Sequence, residues 1–220
     1  MNAGDGIAVL TSGGVDSAIL VGDLVRRGRI VHPIYVRFGL VWEEAEESHL
    51  RRFMATLPNP GARPLVTLEQ PIADVYGEHW STSGVDVPDA ASADEAVYLP
   101  GRNLLLLAKS SIWCALNGVG TIALGTLKGN PFGDATPEFF SAYGSLAHRA
   151  LSRPLAVVTP FSGMTKAEVL ERGRGLALQW TFSCIRPTGD GLHCGRCNKC
   201  AERQRAFTAL DLQDVTAYAS

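Results

Sequence analysis

The chain is expected to fold as an α/β protein: a five-stranded parallel sheet covered by helices, with a cysteine-bearing C-terminal appendage. Three observations predict this. Short apolar, β-branched runs alternate with segments whose apolar residues recur at helical spacing, the signature of a parallel sheet with helices on both faces. Gly, Pro and polar residues punctuate the connections, where turns need them. Four of the five cysteines crowd into residues 184–200.

Residues 7–10 are an apolar run ended by Ser12-Gly13-Gly14, read as a first strand and a tight loop. A helix is expected over 15–27, with Ala18, Val21, Leu24 and Val25 on one face and Gly28 as its stop. Residues 30–36 form a second buried strand, and 42–57 a second helix. Glu43, Glu44, Glu46 and Glu47 come early in it and Arg51 and Arg52 late, an order that suits the helix dipole and is expected to form a solvated face. Pro58-Asn59-Pro60-Gly61 breaks the chain before a third strand at 65–68. Between 72 and 98 the alternation lapses into a long loop, the kind that is usually functional or mobile. Pro100-Gly101 then opens an apolar helix reaching Leu116, with Arg102 and Asn103 at its start and Cys114 buried within it. Strand four is expected at 121–127, a helix at 137–151 and strand five at 155–158. Thr165 is the expected N-cap of a helix running to Gly173. Residues 1–180 are thus read as the α/β domain and 181–220 as a subdomain packed on it.

The chain of 220 residues has a net charge of −2, which gives no reason to expect a nucleic-acid or membrane surface. Residues 1–5 lack the basic start of a secretory signal, and no apolar run reaches membrane-spanning length. A cytoplasmic protein is expected. Trp42 and Trp113 are either core residues or, in a homodimer, interface residues.

The stretch Leu10-Thr11-Ser12-Gly13-Gly14-Val15-Asp16-Ser17 carries the clearest chemistry. Two glycines let the backbone approach a ligand, and the N–H groups of the turn and first helical residues make an anion site. Ser12 and Ser17 add hydroxyls. No Gly-Lys-Ser/Thr follows, so this is not a Walker A loop; the plainer alternative is an ordinary glycine turn. Arg102 is placed to meet a phosphate or carboxylate. The loop Lys128 to Thr136, with Asp134, should face the same crevice, since ligands bind at the carboxyl ends of parallel strands. Lys166 is either a solvated helix residue or a phosphate ligand.

Cys184, Cys194, Cys197 and Cys200 stand as Cys-x9-Cys-x2-Cys-x2-Cys, a set able to close a tetrahedral zinc site. Disulfides are disfavoured in a reducing cytosol. An iron–sulfur cluster is a second alternative, but its usual continuation, Cys-x3-Cys-Pro, is missing. His193 is a substitute for one thiolate that four cysteines make unnecessary.

With the loop at 12–17, Pro100-Gly101-Arg102-Asn103, the Lys166 segment and His193-Cys194-Gly195-Arg196-Cys197-Asn198-Lys199-Cys200 in order, the chain resembles the 7-cyano-7-deazaguanine synthase family over nearly its whole length. That resemblance implies a Rossmann-like, adenine-nucleotide α-hydrolase-like fold of the pyrophosphate-loop ATPases. It implies ATP-dependent conversion of 7-carboxy-7-deazaguanine, with ammonia, to the amide and then the nitrile, releasing AMP and pyrophosphate. By the same resemblance residues 10–17 would hold ATP with Mg²⁺, and Asp16, Lys166 and Arg102 would serve catalysis. Gly101, Arg102, Asn103, Lys128, Phe132 and Asp134 would meet the substrate, and the four cysteines structural Zn²⁺. The chain departs from the family at two places. Ala135 and Thr136 stand where the family has Cys and Arg, with only Asp134 of that loop matching, and residues 37–42 replace the usual Asp-Tyr-Gly-Gln. Three other readings remain open: a member that stops at the amide or activates another carboxylate, a tRNA sulfur-transfer enzyme, and a non-enzymatic nucleotide-binding module.

Overall fold

The computed structural model describes residues 6–58 and 60–219; the readings made at residues 1–5, at Asn59 and at Ser220 lie outside them. Apolar, β-branched segments form β1 (Gly6–Leu10) and β2 (Ile30–Arg37), joined by α1 (Val15–Arg26). Gly28, at φ +75°, ends that crossover, in the left-handed region that glycine adopts without strain. Next come α2 (Glu43–Ala55) and β3 (Val66–Glu69). The expected long loop contains two single-turn helices, α3 (Ala73–Tyr76) and α4 (Trp80–Ser83), and a 3₁₀ turn at Asp94–Val97. Then follow α5 (Arg102–Leu116), β4 (Thr121–Ala123), α6 (Pro137–Leu151), β5 (Ala156–Val158) and α7 (Lys166–Arg172). Thr136 caps α6 by accepting the Phe139 N–H at 3.1 Å, and Thr165 with Glu168 forms a capping box on α7. A last helix, α8 (Asn198–Ala209), starts inside the cysteine cluster; the sequence reading gave none there.

All five strands are parallel, in the order β3-β2-β1-β4-β5. From β1 the chain builds outward through β2 and β3, then crosses over to place β4 and β5 on the opposite side. The switch point lies between β1 and β4, where open α/β sheets bind ligands. Alternate residues of β1 enter different cores. Ala8 and Leu10 pack with Leu107, Cys114 and Phe140 of α5 and α6, whereas Ile7 and Val9 pack with Ile19 of α1 and Leu170 of α7.

Two expectations need correcting. β4 ends at Ala123 rather than at 127. A side chain at Gly125 would meet the Asp16 backbone at 3.2–3.3 Å, so the chain there runs close against the start of α1, and one further bond, Leu124 N–H to the Val158 carbonyl at 3.0 Å, closes the ladder. The acidic face of α2 is not solvated. Glu43, Glu46 and Glu47 are buried with Leu50 and Phe53 along one stripe of the helix, each facing specific partners. Trp42 is a core residue, stacked on Trp80 at 5.6 Å, and Trp113 is half-buried beside His32. No helix among the described residues is long and apolar enough to cross a membrane.

Candidate active site and cysteine cluster

β1 delivers Ser12 to the crevice, and α1 begins at Val15, so the loop between them is held by its own hydroxyls. Ser17 Oγ accepts the Ser12 N–H at 3.2 Å and donates to the Gly14 carbonyl at 3.1 Å. Gly13 sits at φ +74°, and a side chain there would meet Glu46 Cγ at 3.0 Å and the Glu46 carbonyl at 3.1 Å. Its own carbonyl accepts the Phe182 N–H at 2.8 Å. The first ladder bond of α1 is Ala18 N–H to the Gly14 carbonyl at 3.1 Å, so the N–H groups of Val15, Asp16 and Ser17 have no helical acceptor. They supply a positive terminus at the end of β1.

Two cavities open here. One of about 200 Å³ is lined by Ser12, Gly14, Val15, Asp16, Arg102 and Lys166, together with Trp42, Glu46, Trp80, Phe182, Glu202 and Arg203. The other, about 290 Å³, is lined by Leu10, Thr11, Ser12, Asp16, Ser17, Arg102 and Asn103 with Gly125, Thr126 and Asn130. Ser12, Asp16 and Arg102 border both.

Lys166 Nζ lies 2.8 Å from Asp16 Oδ2 and 3.6 Å from Glu202 Oε1. Burial opposes its charge, but Asp16 and Glu202 outweigh burial and hold the ammonium above its ordinary value. Burial likewise works against the Glu202 carboxylate, and Lys166 and Lys199 prevail to keep it below its usual range. Among the described residues, Asp16 Oδ1 and Arg102 Nε are buried with no hydrogen-bond partner, so each is a polar group open to a ligand. Arg102 heads α5 behind Gly101, whose φ of +69° turns the chain into the helix. Asp134 accepts the Asn103 N–H at 2.9 Å and so caps that helix end. Phe132 stacks on Tyr98 at 4.7 Å, and Lys128 is exposed. Gly101, Lys128, Phe132 and Asp134 line neither cavity. Ala135 is buried and Thr136 is the α6 cap, so those two positions are taken up by the fold.

The sequence reading missed the groups that come from α2, α4 and α8: Glu46, Trp80, Lys199, Glu202 and Arg203. For Glu46 a signal existed. Positions 43, 46, 47, 50 and 53 fall on one helical face, and the last two are Leu and Phe.

Ligand atoms of Cys184, Cys194, Cys197 and Cys200 all lie within 4.8 Å of one another, and three of the four residues are buried. Backbone N–H groups aim at the sulfurs: Cys194 N–H at Cys184 Sγ (3.3 Å), Cys197 N–H at Cys194 Sγ (3.3 Å) and Cys200 N–H at Cys197 Sγ (3.4 Å). Such donors favour thiolates, and the set could hold a metal ion. His193 faces elsewhere, its Nε2 accepting the Ser183 N–H at 3.0 Å. Burial, then Arg203, lowers its pKa to about 3, so the ring is neutral.

Comparison with known proteins follows the same lines. The family model for "Queuosine biosynthesis protein QueC" matches residues 6–211. A protein named 7-cyano-7-deazaguanine synthase from Thiobacillus denitrificans is 30% identical over 221 residues, covering 96% of this chain and 97% of that one. Its namesake from Pelobacter propionicus is 30% identical over 226 residues, covering 96% of each. Among solved structures, a 4-thiouridine synthetase–RNA complex with bound ATP shares the fold at a TM-score of 0.51, with 19% identity over 79% of this chain and 41% of that one. On a match that spans the sheet, the crevice and the cysteine cluster, the chain belongs to the QueC family of queuosine biosynthesis proteins.

Proposed function

We propose that this chain is an ATP-dependent synthase of 7-deazapurine formation, acting on 7-carboxy-7-deazaguanine. The observation that supports this most is the meeting of the 12–17 loop with Arg102 and Lys166 at the carboxyl ends of β1 and β4, together with the names of the relatives. A carboxylate is a weak electrophile, so its oxygen attacks the α-phosphorus of ATP, the bond to pyrophosphate breaks, and an acyl-adenylate forms. First-turn N–H groups of α1 and the hydroxyls of Ser12 and Ser17 receive the departing pyrophosphate, while Lys166 and Arg102 offset its charge. Ammonia from solution adds to the acyl carbon; AMP and a proton leave, giving the amide. The amide oxygen then attacks the α-phosphorus of a second ATP, a second pyrophosphate leaves, and loss of AMP and the two amide N–H protons gives the nitrile. Positioning and electrostatics suffice, with no covalent enzyme intermediate.

Asp16 orients Lys166, and its partnerless Oδ1 fits a ligand to Mg²⁺, which would offset phosphate charge when bound. The four cysteines would hold Zn²⁺, which with all positions filled supplies cross-linking alone.

The test is incubation with Mg-ATP, ammonium and 7-carboxy-7-deazaguanine, following product mass and AMP. A nitrile with about two AMP per product is expected, one for each activation. Lys166→Met should slow AMP formation by roughly 10²–10³-fold, the usual cost of removing one charge-stabilising group. An amide alone would mean that the second activation is lost, and no AMP would overturn the substrate assignment.

A further inference from the structure

Of the three buried glutamates of α2, two are fully engaged by the protein. Glu43 accepts the N–H groups of Phe38 (2.6 Å) and Gly39 (2.8 Å) on its two oxygens, and Glu47 grips Arg37 at 2.8 Å together with Arg51. Glu46 differs. Its Oε2 accepts the Tyr35 hydroxyl at 2.7 Å, yet the residue lines the smaller cavity, which leaves Oε1 for a ligand. Each carboxylate oxygen has two acceptor sites, so even Oε2 can take a second donor. The apolar part of the same lining is Trp42, stacked on Trp80 with 20° between the rings, with Leu99 and Phe182. Arg102 lines the same cavity, with Nε buried and unpartnered.

We propose that Glu46 is the specificity-determining residue of this cavity, reading two adjacent N–H donors of a guanine-type base that lies against Trp42 and Trp80. The inference rests on the 7-deazaguanine reading above and deepens it. In such a base, N1–H and the 2-amino group sit side by side, the spacing a carboxylate accepts in a bidentate manner. The 6-oxo oxygen comes next and is an acceptor for a guanidinium, and the 7-carboxylate follows on the same edge, toward the phosphates it must attack. The cavity therefore offers an acceptor head at Glu46, a donor at Arg102 and the phosphate loop at Ser12 and Asp16. Burial pushes the Glu46 pKa up to about 8 despite Arg102 and Tyr35, so in the empty cavity at neutral pH the group keeps its proton, and two N–H donors on a ligand draw out the carboxylate form.

The probes are 7-deazaguanine and 7-deazahypoxanthine, which lacks the 2-amino group. Their binding is read by quenching of tryptophan fluorescence, with and without a non-hydrolysable ATP analogue. The wild-type protein should prefer 7-deazaguanine by roughly 30-fold, the scale of a hydrogen bond to a charged group. Glu46→Gln, which keeps an acceptor for Tyr35 but presents an amide to the base, should reduce the preference to below about threefold, and Glu46→Asp should restore part of it. Tyr35→Phe should leave the preference intact. Equal wild-type affinity for the two bases, no binding of either, or an undiminished preference in Glu46→Gln would each overturn the proposal. Because neither probe carries the carboxylate to be activated, failure to turn over 7-carboxy-7-deazaguanine would sink the reaction and leave the base-reading result standing.

Discussion

Lys166 meets Asp16 at 2.8 Å across 150 positions of sequence, and it does so as one member of a row that also contains Glu202 and Lys199. Asp16 was readable from the loop motif, and Lys166 from its place after the last strand. Glu202 was not, because nothing in a sequence says that a helix starting inside a cysteine cluster packs back against α7, where Lys166 stands. Glu46 gives a prediction at this scale. Its pKa is raised from the ordinary 4.5 to about 8 by burial. An acid whose folded pKa is raised binds its proton more tightly when folded, so its stabilising contribution is complete below about pH 4.5 and is lost as pH rises through about 8. Glu46→Gln has no such proton to lose. Melting curves should therefore diverge in favour of the variant between pH 5 and pH 8.5, by several degrees, since about 1 kcal/mol moves the midpoint of a chain this size by roughly 2–4 °C. Parallel pH profiles would show that the carboxyl is not desolvated as described.

At the scale of elements, the connection from β2 into α2 depends on one side chain. Glu43 accepts the N–H groups of Phe38 and Gly39 and thereby fixes the turn that carries Trp42 into the core. Glu43→Ala should cost about 1–3 kcal/mol, because the buried Phe38 N–H loses its acceptor and the N–H of the exposed Gly39 its partner, measured as a shift of the urea midpoint at unchanged slope. A loss below about 0.5 kcal/mol, the level of an ordinary surface substitution, would contradict this role. Here lies the limit of the sequence reading. All five strands and most crossover helices followed from periodicity, with boundaries displaced by a few residues. The glutamates of α2 were read as solvent-facing because charge usually is, although Leu50 and Phe53 continue their stripe inward. A buried carboxylate is recognisable only when its partners are known, and Tyr35 and Arg37 belong to β2 and Phe38 to the connection after it. The lapse between residues 72 and 98 hid α4 for the opposite reason: one turn of helix has too few residues to show a period.

For the molecule as a whole, the cysteine cluster and the crevice share a helix. Cys197 caps α8 by accepting the Cys200 N–H, and the same helix carries Lys199, Glu202 and Arg203 to the cavity while Phe207 enters the core beneath α1. A metal held by the four sulfurs would therefore bear on Lys166 through Glu202. Removing it with a strong chelator should lower the melting temperature and raise the KM for ATP together, with metal content followed by mass spectrometry of the intact protein. Stripped protein with unchanged melting and KM would separate the cluster from the crevice.

The strand order also sets a timetable. β1 finds β2 after about twenty residues of synthesis but must wait for β4, where Ala8 pairs with Ile122, and Asp16 waits longer for Lys166 and Glu202. With chains elongating at roughly 5–20 residues per second, the loop at 12–17 exists for many seconds before Lys166 and Glu202 are made. A nascent or truncated chain thus carries the loop without the groups that face it in the full chain.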